Sequence, residues 1–133
     1  MRFIPTRVHG VLDYLTAAFL FVMPWALGFG SMWGETIAPM LVGLFVVCYS
    51  IVTAYEWGLS GILPMSGHLW IDFGTGIFLA LSPWIFGFAE VAWLPHVIVG
   101  LFLMAVSVTT RTVPERVPAP PESLARADVF YPQ

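Results

Sequence analysis

Residues 5–29 read PTRVHGVLDYLTAAFLFVMPWALGF and residues 64–88 read PMSGHLWIDFGTGIFLALSPWIFGF. Laid one on the other, they match Pro5 with Pro64, His9 with His68, Asp13 with Asp72, Thr16 with Thr75 and Phe19-Leu20 with Phe78-Leu79. The match continues through Pro24-Trp25 with Pro83-Trp84 and Gly28-Phe29 with Gly87-Phe88. Two unrelated apolar helices would not align a histidine, an aspartate and both prolines, so the chain is internally duplicated. Two positions out of that register, VGLF at 42–45 falls on VGLF at 99–102, and Ser50 and Thr53 fall on Ser107 and Thr110. The first repeat covers about 5–55 and the second about 64–110.

The 133 residues are 59% hydrophobic, 16% aromatic and only 10% charged, with a mean hydropathy of +0.86. Soluble domains carry roughly 25% charged residues, so a soluble fold is excluded. All five basic residues are arginines and none lies between Arg7 and Arg111, which leaves no basic patch for nucleic acid. The single cysteine, Cys48, rules out an intrachain disulfide and reads as a small buried hydrophobe.

Apolar stretches run from about Val8 to Gly30, Thr36 to Tyr55, Leu69 to Phe88 and Trp93 to Thr110. Each approaches the ~20 residues that a helix needs to cross ~30 Å of hydrocarbon. The junctions GSMWGE (30–35), EWGLSGILPMSG (56–67) and FAEVAW (88–93) hold the glycine, proline and tryptophan expected of turns at an interface. The expected fold is all-α: a polytopic membrane protein of four transmembrane helices, arranged as two helical hairpins in residues 1–110. Because two spans separate the copies, the hairpins enter the bilayer in the same direction and are related by a pseudo-twofold axis along the membrane normal. Arg2 and Arg7 precede the first span and Arg111, Arg116 and Arg126 follow the last, so the positive-inside rule puts both termini in the cytoplasm of a plasma (inner) membrane. No A-x-A-like site follows the first span, so it reads as a retained helix and not a cleaved leader. Residues 111–133 hold five of the eleven prolines and read as a solvated cytoplasmic tail.

The Ser82-Pro83-Trp84 triplet of the second copy, answered by Met23-Pro24-Trp25 in the first, resembles the SPW-repeat integral membrane proteins, named for a Ser-Pro-Trp motif in the first of two helices per repeat. The resemblance covers roughly residues 5–110 and implies this architecture without catalytic residues. Methionine in the first copy implies that the serine hydroxyl is dispensable in one repeat.

Positions 9, 13, 16, 20, 24 and 28, and their copies at 68, 72, 75, 79, 83 and 87, keep to one side of their helices. A carboxylate facing lipid is costly, so the two stripes are expected to face each other. Pro24 and Pro83 each free a carbonyl one turn earlier and are expected to kink their helices. Trp25 and Trp84 are candidates to donate to those carbonyls, with Gly28 and Gly87 allowing close helix approach. The alternative for the tryptophans is a quinone- or lipid-binding groove.

His9 and Asp13 stand at i, i+4, as do His68 and Asp72. They can form a hydrogen-bonded seam between the first and third helices, or hold Zn²⁺, Mn²⁺ or Fe²⁺ in a pseudo-symmetric site. Bis-histidine haem through His9 and His68 and proton relay through the aspartates are lesser alternatives. His96, whose copy is Pro39, reads as an interfacial residue opening the fourth helix. Nucleophile triads, phosphate loops and dinucleotide fingerprints are absent, and no organic cofactor is expected. The leading functional expectation is a non-catalytic accessory or scaffold subunit, embedded in the lipid bilayer and self-associating or bound to a larger complex. The alternative is a metal- or cofactor-binding membrane protein using the duplicated His-x-x-x-Asp pair, with a channel or transporter behind both.

Overall fold

A computed structural model describes residues 2–30 and 33–114. Four helices follow in order: α1 (Thr6–Ala26), α2 (Trp33–Val52), α3 (Met65–Ile85) and α4 (Ala89–Thr109), with no strand among the described residues beyond two isolated bridges. Three of them, α1, α2 and α4, are long and apolar enough to cross a membrane. At 21 residues α3 matches α1 in length, and its polar His68, Asp72 and Ser82 are all turned into the protein. The fold is that of a membrane protein. The tail's Arg116 and Arg126 lie outside the described residues.

The duplicated prolines set both ends of α1 and α3. Pro5 and Pro64 precede the first helical residue with φ/ψ of −63°/147° and −66°/147°, a conformation proline adopts without strain. At the other end Gly28 and Gly87 take φ of 77° and 74°, and the amides of Phe29 and Phe88 reach back to the carbonyls of Pro24 and Pro83 at 2.9 and 2.8 Å. This is a glycine-terminated Schellman motif. Gly28 and Gly87 therefore end helices and do not let helices approach; a Cβ on either would meet nothing within 4 Å.

The carbonyl freed by Pro83 belongs to Leu79, and it receives the Ser82 hydroxyl at 2.7 Å. That hydroxyl does the job expected of tryptophan, whereas Trp25 and Trp84 lie on the outer surface at 57% and 56% exposure. Both helices run on through their prolines; the break in helical backbone falls instead at Ala92 of α4 (φ −149°, ψ 39°), in the turn disturbed by Pro95.

Close packing falls to other glycines. Gly43 of α2 lies against the carbonyl of Ala17 in α1, and Gly76 of α3 against that of Gly100 in α4; these pairs are copies of one another. Around them Ala17, Leu20, Met23, Val46 and Leu79 form a core with no solvent exposure. Cys48 departs from expectation and sits on the outer face of α2.

At one end of the bundle the chain ends cross over. The amides of Phe3 and Ile4 donate to Thr109 O (2.8 and 3.1 Å) and Arg111 N–H to Ile4 O (3.0 Å). Their counterparts are Ile62 and Leu63 N–H to Val52 O (both 2.9 Å) and Ala54 N–H to Leu63 O (2.7 Å). Each hairpin's start is thus paired with the other's finish, which puts the first turns of α1 and α3 at one level as two like-oriented repeats require.

A Cβ placed on Gly76 would lie 2.6 Å from the Gly100 carbonyl, whereas Gly74 has open space. Gly76→Ala is expected to lower stability by about 1–3 kcal/mol through helix displacement, and Gly74→Ala to be neutral or slightly stabilising, as read from thermal melting of the detergent-solubilised protein.

Candidate metal centre

Asp13 follows His9 by one turn on α1, Asp72 follows His68 by one turn on α3, and the crossed chain ends set the two turns side by side. All four side chains are at most 2% exposed. His9 Nε2 lies 3.3 Å from Asp13 Oδ1 and 2.9 Å from Asp72 Oδ2; His68 Nε2 lies 3.1 Å from Asp13 Oδ2 and 3.2 Å from Asp72 Oδ2. The two Nε2 atoms are 3.0 Å apart. Every ligand atom touches one from the opposite repeat.

The other nitrogen of each ring fixes what these atoms carry. Thr53 gives its only hydroxyl proton to Tyr49 O (2.6 Å), so its oxygen accepts from His68 Nδ1–H at 2.8 Å. Thr110 does the same with Val106 O (2.7 Å) and His9 Nδ1 (3.0 Å). With Nδ1 holding the proton of the neutral imidazole, Nε2 presents a lone pair to the centre. Each histidine is oriented by a threonine of the other hairpin.

Two lone pairs 3.0 Å apart, flanked by two carboxylates, need positive charge between them. One proton shared by the rings would leave the buried group at net −1, and an uncompensated charge in an apolar interior costs several kcal/mol. Two protons would also balance the charge, with a facing carboxylate oxygen 2.9 Å from His9 Nε2 and 3.1 Å from His68 Nε2 to accept them. One divalent cation balances both carboxylates and takes both lone pairs. The nitrogen–oxygen and nitrogen–nitrogen separations are 2.9–3.3 Å, and one ligand atom from each of the four residues falls within 4.8 Å of all the others. The four residues thus bring two nitrogen and two oxygen donors together as a group that could hold a metal ion.

Around it α2 supplies donors to the carboxylates: Tyr49 Oη to Asp72 Oδ1, and Ser50 Oγ to Asp13 Oδ2 at 3.3 Å. Here the symmetry fails, for Val106 stands where Tyr49 does and Ser107 bonds Met104 O. Thr53 and Thr110 were visible in the sequence as aligned positions, but nothing in spacing identified them as histidine partners, and Tyr49 carried no repeated signal at all.

His96 differs from its expected place. It lies two turns into α4 with no exposure, its Nδ1–H on Ala92 O at 2.6 Å and its ring beside Phe88 and Phe29. It and the buried Glu35 occupy the far end of the bundle, separated from the His/Asp centre by Leu20, Met23, Val46 and Leu79.

A duplicated four-helix membrane fold with a buried His₂Asp₂ cluster defines the class of protein. A family model, the SPW repeat domain, matches residues 7–110, and the chain belongs to that family. No curated protein and no solved structure matches it.

Thr53→Val leaves His68 Nδ1–H without an acceptor and is expected to cost about 1–3 kcal/mol. Thr110→Val should cost a similar amount through His9. Thr109→Val, whose hydroxyl serves only helix carbonyls, should change little when unfolding is followed by denaturant titration in detergent.

Proposed function

We propose that the protein is a non-catalytic membrane module whose two hairpins are clamped by one divalent first-row metal ion, Zn²⁺, Mn²⁺ or Fe²⁺, held by His9, Asp13, His68 and Asp72. The observation that carries this reading is the pair of facing Nε2 atoms, 3.0 Å apart between two buried carboxylates. Four protein donors leave no open coordination position, and closed sites serve structure, whereas catalytic ones keep a place for water or substrate. The two expectations from the sequence thus become one: the metal is the fastener of an accessory or scaffold subunit.

The arginines at both ends support a plasma-membrane location with both termini in the cytoplasm, which sets the metal centre at the cytoplasmic end. The outer helical faces, rich in leucine and phenylalanine, suit the bilayer and a homo-oligomeric or larger membrane assembly. A conduit for protons or ions is disfavoured, because the layer between the centre and His96 is built on Leu20, Met23, Val46 and Leu79, with the hydroxyls of Thr16, Thr75 and Ser82 as its buried polar groups.

Elemental analysis of the detergent-purified chain is expected to find one equivalent of a first-row divalent metal, lost in His9→Ala plus His68→Ala and in Asp13→Asn plus Asp72→Asn. Stripping with a chelator should lower the melting temperature, and restoring metal to a free concentration of about 100 times Kd should return about 2.7 kcal/mol. A metal-free wild-type protein whose stability ignores chelator and added metal would remove the proposal.

A further inference from the structure

Near the metal centre, a cavity of about 190 Å³ opens between the start of α3 and the end of α4. The duplication supplies its control. Leu69, Phe73 and Thr112 of the cavity correspond to Gly10, Tyr14 and Tyr55 of the first copy. There the space is filled. Tyr55 is fully buried and abuts Gly10, while the following loop is pinned by Trp57 Nε1–H on Arg7 O (2.9 Å) and Tyr14 Oη–H on Trp57 O (3.2 Å). In the second copy a threonine replaces the plugging tyrosine and the place is open.

The walls of the open site divide by chemistry. Arg2 lines it with a guanidinium that donates one bond, Nη1 to Thr110 O at 2.7 Å, out of a five-donor fork. The hydroxyl-bearing Ser66 and Thr112 also line it, and among the described residues no carboxylate does. Trp70, Phe73 and Val108 make the apolar side, with Trp70 75% exposed one turn into α3, the depth at which tryptophan marks a membrane interface. A cation with two hydroxyls above an aromatic wall, at the boundary between water and hydrocarbon, matches a phosphodiester joined to an acyl chain. Basic pockets between transmembrane helices at the interface bind anionic headgroups in this way.

We propose that this cavity is a binding site for an anionic phospholipid of the surrounding bilayer, with the phosphodiester on Arg2, Ser66 and Thr112 and the upper acyl chain along Trp70, Phe73 and Val108. None of the four candidate metal ligands lines the cavity.

The test is native mass spectrometry of the full chain released from mixed micelles holding equal phosphatidylglycerol and phosphatidylcholine. One arginine near an interface is worth about 1 kcal/mol, so the wild type is expected to retain phosphatidylglycerol about fivefold over phosphatidylcholine. Arg2→Gln should bring that ratio near one. Because Arg2 also ties the chain to Thr110, the second variant is Thr112→Tyr, which keeps the charge and refills the cavity as Tyr55 does in the first copy; it should lose the bound lipid while the melting temperature holds. Inorganic phosphate added in excess should leave the preference in place. Equal retention of the two lipids by the wild type, an unchanged ratio in both variants, or displacement by inorganic phosphate would each overturn the proposal, the last in favour of a soluble anion.

Discussion

Two carboxylates buried in an apolar bundle must be neutralised, and most of what is polar in this protein answers that one requirement. Asp13 and Asp72 have almost no solvent contact. Each faces the Nε2 of an imidazole from the other repeat, and each imidazole is held by a threonine that has already committed its own proton to the backbone. The chain is thereby tied across its pseudo-twofold axis by side chains, just above the backbone pairings that tie it by its ends. Packing alone makes a weaker join, because hydrocarbon offers helices no hydrophobic reason to leave lipid for each other.

Much of this could be read from the sequence, for physical reasons that differ by element. Span number and hairpin order followed from run length and from a duplication that aligned His9 with His68 and Asp13 with Asp72. Convergence of those four followed from the cost of a carboxylate in lipid. The motif around Pro83 was harder. Proline announces a freed carbonyl, but whether Ser82 or Trp84 answers it depends on rotamer and on which way the helix faces, and neither is written in spacing. Gly28 and Gly87 looked like packing glycines because glycine serves both packing and helix ends; only the positive φ tells them apart. His96 read as interfacial because Ala92 and the Phe29/Phe88 cover around it come together only in three dimensions.

The repeats have also diverged where divergence matters. Tyr49 and Ser50 of α2 serve both aspartates, while their copies Val106 and Ser107 serve neither, so the hydroxyl donors to the two carboxylates come from one hairpin. Ala17 against Gly76 makes a comparable difference in packing, since the glycine lets α4 lie closer to α3 than α2 lies to α1. Leu15 against Gly74 adds a third, leaving open space on α3 where α1 carries a bulky side chain.

The crossed pairing of the chain ends has a bearing on biogenesis. Ile4 finds its backbone partners only at Thr109 and Arg111, and His9 finds its hydroxyl only at Thr110. A nascent chain with just the first hairpin inserted therefore carries a half-made polar face, to be shielded by the translocation machinery or by water until α4 emerges. Completion of the bundle thus waits on one short stretch, 109–111 at the end of α4, which closes onto the residues that lead into α1.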